Sequence, residues 1–215
     1  MTRTLITLFC LFSSLQSFAA DVVMKIGVNN SWFATEGGNS EIMPAFGFGV
    51  QLPLDSSQRI KLGFDAFFVE QKMVLINKTR PKNQFSVDEC EVLSSDLYIH
   101  YDYIHFPVYL NSTLLETTKL GFNFMFGVGL KLKVKNSSDA KNYNFINTCR
   151  YDYDRSTNGD TDMLTEAISG IGIRYKKMGS ELVYHHTLSK TKSLYGFKIK
   201  DHIQSIKWII SIYLN

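Results

Sequence analysis

The chain of 215 residues has no stretch of 18 consecutive apolar residues, so nothing in it is long and greasy enough to cross a bilayer as a helix. Cysteine is scarce: there are three, one of them (Cys10) in the N-terminal apolar segment, and Cys90 and Cys149 fit no zinc-ligand spacing. Charge of one sign is missing too, because a formal net charge of +3 gives no electrostatic reason to expect nucleic acid as a partner. No serine-nucleophile motif or carboxylate cluster accompanies the one same-face His–Asp pair, His100 and Asp102, which leaves little from which to build a hydrolase.

The first twenty residues have a layout of their own. Arg3 precedes an apolar stretch from Leu5 to Phe12, and Ser17-Phe18-Ala19-Ala20 supplies small residues, as in a secretory signal cleaved after Ala19. The expected organisation is therefore a signal peptide over 1–19 and one domain over 20–215. In an exported protein Cys90 and Cys149 become candidates for a disulfide.

Beyond the leader the dominant signal is period-two alternation. From Lys119 to Val134 the even positions are Leu120, Phe122, Phe124, Phe126, Val128, Leu130, Leu132 and Val134, whereas the odd positions hold Gly, Asn, Met and Lys. A strand separates these two sets and a helix would mix them. The same parity marks Val22–Val28, Phe46–Leu52, Ile60–Phe68, Leu97–Leu110, Ala167–Tyr175, Leu182–Leu188 and Ile203–Leu214. Short links (Asp55-Ser56-Ser57, Asn111 to Thr118, Lys177-Met178-Gly179) alternate with long polar ones (Ala34 to Met43, Gln71 to Ser95, Lys135 to Met163, Ser189 to His202). Eight strands with short and long connections at opposite ends predict an all-β fold, a closed antiparallel up-and-down transmembrane barrel.

Composition of the second face sets its direction. It is rich in glycine and carries isolated charges, including Lys25, Lys61, Asp65, Lys131, Glu166, Arg174, Glu181 and Lys207. Glycine weakens a solvated sheet surface but suits a narrow lumen filled by a few large side chains. The expectation is a plugged interior in which Lys61, Lys131, Arg174 and Lys207 balance Asp65, Glu166 and Glu181. Phe46, Phe48, Phe64, Phe122, Phe124, Phe126, Ile171, Ile173, Trp208, Ile210 and Ile212 then face lipid. Trp32, Tyr98, Tyr109, Tyr175 and Tyr213, near strand ends, are expected as interfacial girdles.

Short motifs add a resemblance. Tyr103-Ile104-His105-Phe106-Pro107-Val108-Tyr109-Leu110, Phe126-Gly127-Val128-Gly129 and Gly170-Ile171-Gly172-Ile173-Arg174-Tyr175 with Glu181-Leu182-Val183-Tyr184 are similar to strands of the PorT-like outer-membrane β-barrel domains of Bacteroidetes. The chain departs from such barrels by ending Tyr213-Leu214-Asn215 instead of on an aromatic residue. The resemblance implies an outer-membrane barrel and, for some relatives, a part in protein secretion or surface assembly.

Other chemistry is sparse. His185 and His186 are adjacent on a strand and point to opposite faces, so they make no joint metal pair. His100 and Asp102 share a face and are the nearest thing to an acid–base pair. Asp152, Asp154, Asp160 and Asp162 crowd one loop without EF-hand spacing. Lys131, Lys133 and Lys135 share a face that either supplies lumen counter-charges or meets lipopolysaccharide phosphates. No cofactor or enzymatic activity is expected. The partners expected are outer-membrane lipid and an envelope or surface protein. Two rivals are a secreted lipocalin-like barrel, whose Phe-rich face would line an apolar cavity although Gly27-Val28-Asn29 lacks the usual Gly-x-Trp, and an outer-membrane lipid-modifying or hydrolytic enzyme.

Overall fold

The computed structural model describes residues 20–33, 39–79, 92–145, 163–189 and 202–214. The expected signal segment, the Cys90–Cys149 pair and the Asp152 to Asp162 cluster lie outside these residues. The strands in chain order are β1 (Asp21–Phe33), β2 (Asn39–Glu41), β3 (Met43–Pro53), β4 (Ile60–Thr79), β5 (Val92–Glu116), β6 (Leu120–Phe145), β7 (Met163–Tyr175), β8 (Met178–Thr187) and β9 (Ile203–Tyr213). Every pairing is antiparallel.

Eight of these strands close on themselves. Neighbours run β4-β3-β1-β9-β8-β7-β6-β5, and β5 pairs back onto β4. The short β2 continues the line of β3 along β4: Glu41 sits opposite Lys72 and Ala45 opposite Val69, with one extra residue on the β3 side in between, as at a bulge. The seam between the first and last barrel strands runs from Val23↔Tyr213 to Phe33↔Ile203. Closure leaves no open edge around the barrel, which is the only way a sheet can satisfy its backbone in hydrocarbon.

Pro107 sits mid-strand in β5, where it has no N–H to donate. The β4–β5 ladder passes from Phe64↔Val108 to Phe67↔His105 without bridging the two positions between, while Pro107 keeps its place opposite Gly129 on β6.

Three strands are much longer than the apolar alternation predicts. β4, β5 and β6 run for 20, 25 and 26 residues, so parts of the expected Gln71–Ser95 and Lys135–Met163 loops are paired backbone instead. At the other end β5 continues to Glu116, reducing the expected Asn111–Thr118 link to three residues. The β7–β8 turn is Lys176-Lys177, one residue before its expected position, and Lys176 takes a left-handed φ of 53°. In the β3–β4 turn the Ser57 hydroxyl and the Ile60 N–H donate to Asp55, holding its carboxyl below the usual carboxylate range.

The outer surface is apolar on all eight barrel strands. Ile26 is 62% exposed, Phe48 55%, Phe126 51%, Ile171 61% and Trp208 52%. On β6 this face runs from Phe122 to Val134, thirteen residues, at least the length a tilted strand needs to cross a bilayer (about 9–11). The belt ends in polar residues towards the long connections, where Glu70 pairs with Asp102 and Lys72 with His100.

Where β1 and β9 meet, a Cβ on the inward-facing Gly27 would come within 2.1 Å of the Trp208 carbonyl oxygen, whereas one on Gly121 meets nothing closer than 3.9 Å. Gly27→Val should therefore cost about 1–3 kcal/mol of barrel stability. Gly121→Ala should leave it within about 0.5 kcal/mol. Urea titration of the mobility shift between folded and boiled protein on gels measures both.

Candidate functional site

Strand pleating sends alternate side chains inward, and closure brings charges from distant parts of the chain to one axis. Two nodes result. Towards the short turns, the Lys25 ammonium on β1 donates to Asp65 Oδ2 at 2.9 Å, Glu181 Oε2 at 3.2 Å and the Tyr109 hydroxyl at 2.9 Å. Tyr109 donates in turn to Asp65 Oδ1 (3.1 Å), and Ser211 donates to Glu181 Oε1 (2.9 Å). All five side chains are buried.

The second node is centred on Glu166 of β7. Lys131 lies 2.8 Å from Oε2, while Oε1 receives His185 Nδ1 at 2.6 Å and His105 Nε2. Lys207 Nζ stands 3.0 Å from His105 Nδ1. With the ammonium donating there, the His105 proton belongs on Nε2, aimed at Glu166. The Phe67 ring lies between the nodes, its centroid 6.0 Å from Lys25 Nζ and 5.6 Å from Lys207 Nζ.

His105, Glu166 and His185 bring ligand-type atoms within 4.8 Å of one another, a grouping with the composition of a metal centre. The surroundings argue against that use. Each ring nitrogen facing Glu166 already has a hydrogen-bonding role, and a divalent cation would join two ammonium groups around a single carboxylate. The arrangement is a charge-assisted hydrogen-bond network. A second group, Glu70, His100 and Asp102, lies on the outer face above the apolar belt, with His100 Nε2 3.0 Å from Asp102 Oδ1.

The expected pairing needs correction in several places. Lys61 and Arg174 balance neither Asp65, Glu166 nor Glu181. Both contact Asp21 Oδ2 at the short-turn mouth, at 2.5 and 3.3 Å. Lys207 faces a histidine, and Lys25 supplies the cation for Asp65 and Glu181. Tyr109 and Tyr213 are not girdle residues: both point inward, each 3% exposed, whereas Tyr175 is outward and 49% exposed. Lys131 also points inward, away from any lipid headgroup, and Lys133 Nζ lies 4.7 Å from the centroid of the buried Tyr101 ring.

Phe46, Phe48, Phe64, Phe122, Phe124 and Phe126 are on the outer surface, as are Ile171, Ile173, Trp208, Ile210 and Ile212. They line no internal cavity, which removes the basis of the lipocalin-like reading. Besides the charges, the interior holds an apolar layer of Ala45, Phe67, Val69, Met125, Ile168, Val183 and Ile209 around Tyr109, which the alternation pattern did not reveal. Its signal was adjacent apolar residues such as Phe67-Phe68, Leu182-Val183 and Ile209-Ile210, one of each pair facing each way.

No family model matches the sequence, and no curated protein matches it. Thirteen chains of solved structures do. One is Ail, the attachment invasion locus protein of Yersinia pestis, in complex with the heparin analogue sucrose octasulfate (10% identity, 91% of this chain and 99% of that one, TM-score 0.40). Others are the outer membrane enzyme PagL (13%, 89% and 98%, TM-score 0.40) and Neisserial surface protein A (8%, 90% and 96%, TM-score 0.40). Likeness at this level assigns no activity.

Lys25→Met leaves two buried carboxylates without their cation and should destabilise the barrel by about 3–5 kcal/mol. The triple variant Lys25→Met, Asp65→Asn, Glu181→Gln should recover at least half of that loss. Urea unfolding in lipid bilayers measures both, and a single variant as stable as wild type would mean that the node carries no structural weight.

Proposed function

We propose that the chain is an outer-membrane β-barrel with a plugged polar lumen, whose role is structural or interactive and is exercised through the long connections at one rim. One observation carries this reading: all eight barrel strands turn bulky apolar side chains outward while ammonium and carboxylate groups sit buried within. Soluble monomers rarely expose apolar patches beyond a few hundred Å2, and here the patch encircles the molecule. Within the belt the outward Trp208 indole N–H is satisfied by the protein, as hydrocarbon requires: it donates to Ser180 Oγ at 2.9 Å on the neighbouring strand.

The short turns then face the periplasm and the long connections the exterior, where a surface or envelope protein would meet them. The motifs that resemble PorT-like barrels support a role in secretion or surface assembly within this reading. The hydroxyls that meet a carboxylate in the nodes, Ser211 on Glu181 and Tyr109 on Asp65, are buried and tied into the charge network, which favours a non-enzymatic role.

Three measurements test the proposal. The protein should partition with outer membranes and require detergent for extraction. An epitope inserted between residues 80 and 91 should be labelled on intact cells. Planar bilayers carrying the wild-type protein should show no large, steady conductance, and such a pore would refute the plug.

A further inference from the structure

Above the apolar belt, towards the long connections, three ligand-type side chains meet on the outer face. His100 and Asp102 lie two residues apart on β5 and so share a face, and Glu70 of β4 stands directly opposite Asp102 in the ladder. One ligand atom from each falls within 4.8 Å of the other two. Unlike the group around Glu166, this one is reached from outside: the side chains of Glu70 and His100 are each 30% exposed and that of Asp102 15%, so they have room to turn and admit an ion.

The contact inside the group is the informative one. His100 Nε2 and Asp102 Oδ1 are 3.0 Å apart, close enough for a hydrogen bond, yet they are not hydrogen-bonded to each other. The carboxylate oxygen therefore lies off the axis along which the ring nitrogen donates or accepts. That is where a neighbouring ligand sits when both atoms hold one ion: with bonds of about 2.0–2.2 Å, adjacent ligand atoms are about 3.0–3.5 Å apart. Glu70 Oε2, 4.0 Å from Nε2, reaches that spacing by a side-chain rotation of about 0.5–1 Å.

Charge and ligand type narrow the choice of ion. Glu41, Glu70 and Asp102 share this part of the ladder with two lysines, Lys72 opposite Glu41 and His100, and Lys135 opposite Asp102, so three acidic residues against two basic ones leave one negative charge. Lys72 pairs with Glu41 at 3.6 Å. Calcium and magnesium take oxygen ligands, whereas one imidazole nitrogen with two carboxylates suits a softer ion. We infer that Glu70, His100 and Asp102 bind a divalent metal ion of the zinc class, with water completing its coordination.

Isothermal titration of the full-length protein in detergent with Zn2+, Ca2+ and Mg2+ tests the assignment. Zn2+ should bind at least about tenfold more tightly than either of the others. His100→Gln and Glu70→Gln should each weaken Zn2+ binding about tenfold or more while keeping the gel mobility shift, whereas His186→Gln, at another outward histidine, should leave it unchanged. Where a variant fails to fold, the wild-type protein decides: Zn2+ should protect His100, and not His186, from modification by diethyl pyrocarbonate, read by mass spectrometry. Absence of Zn2+ binding, equal binding of Ca2+ or Mg2+, undiminished affinity in folded His100→Gln, or no protection of His100 would overturn the inference.

Discussion

A barrel of eight strands is only wide enough to be filled by its own side chains, and the remaining features of this molecule answer to that limit. Every inward position competes for the same narrow axis. Large network residues fit only where a neighbour offers no side chain at all: a Cβ at Gly129 would lie 2.6 Å from His105 Nε2 and 2.8 Å from Glu166 Oε1. The inner glycine that weakens the strand is the condition for the hydrogen-bond node above it. The same narrowness excludes the water that would otherwise solvate the charges, so ions and glycines form one requirement rather than two.

Dry charges must be paired. Lys25, Lys131 and Lys207 against Asp65, Glu166 and Glu181 sum to zero formal charge, with the histidines neutral. Pairing of this kind is a weak source of net stability, because desolvation consumes most of the Coulomb gain. Its effect is on uniqueness. A slip of one residue in the register of β1, β4, β6, β7, β8 or β9 would turn that strand's inner set outward, putting an ammonium or carboxylate group into the apolar belt and apolar side chains into the lumen. Several kcal/mol per uncompensated ion separates the observed register from its nearest competitors.

Much of the architecture was legible in the alternation. Parity alone located the eight barrel strands and the alternation of short and long connections, since both follow from local sequence. The extensions of β4, β5 and β6 were not legible, because strand beyond the apolar belt needs no greasy face and so leaves no period-two trace. The pairing partners were not legible for a different reason. Parity gives the side of the sheet, but height along the axis depends on how each strand is staggered against the next, and the ion pairs join residues 40 and 156 positions apart (Lys25 with Asp65 and with Glu181). Tyr109 shows the rule and its misuse together. Its parity set it opposite Val108 and Leu110, hence inward, yet its type and its place near a strand end suggested a girdle. Direction outranks residue type.

The way the charge divides between the nodes ties them together. The Glu166 node holds two ammonium groups and one carboxylate, an excess of +1, while the Lys25 node holds one ammonium and two carboxylates, an excess of −1. Neither is neutral alone, and one lysine of each lies within 6.0 Å of the Phe67 ring centroid. A ring quadrupole attracts both cations without neutralising either, so it draws Lys25 and Lys207 towards one centre and holds the two excesses close enough to compensate. Loss of a charge in one node therefore unbalances the other, and the lumen behaves as a single electrostatic unit built from all of the barrel strands that contribute to it.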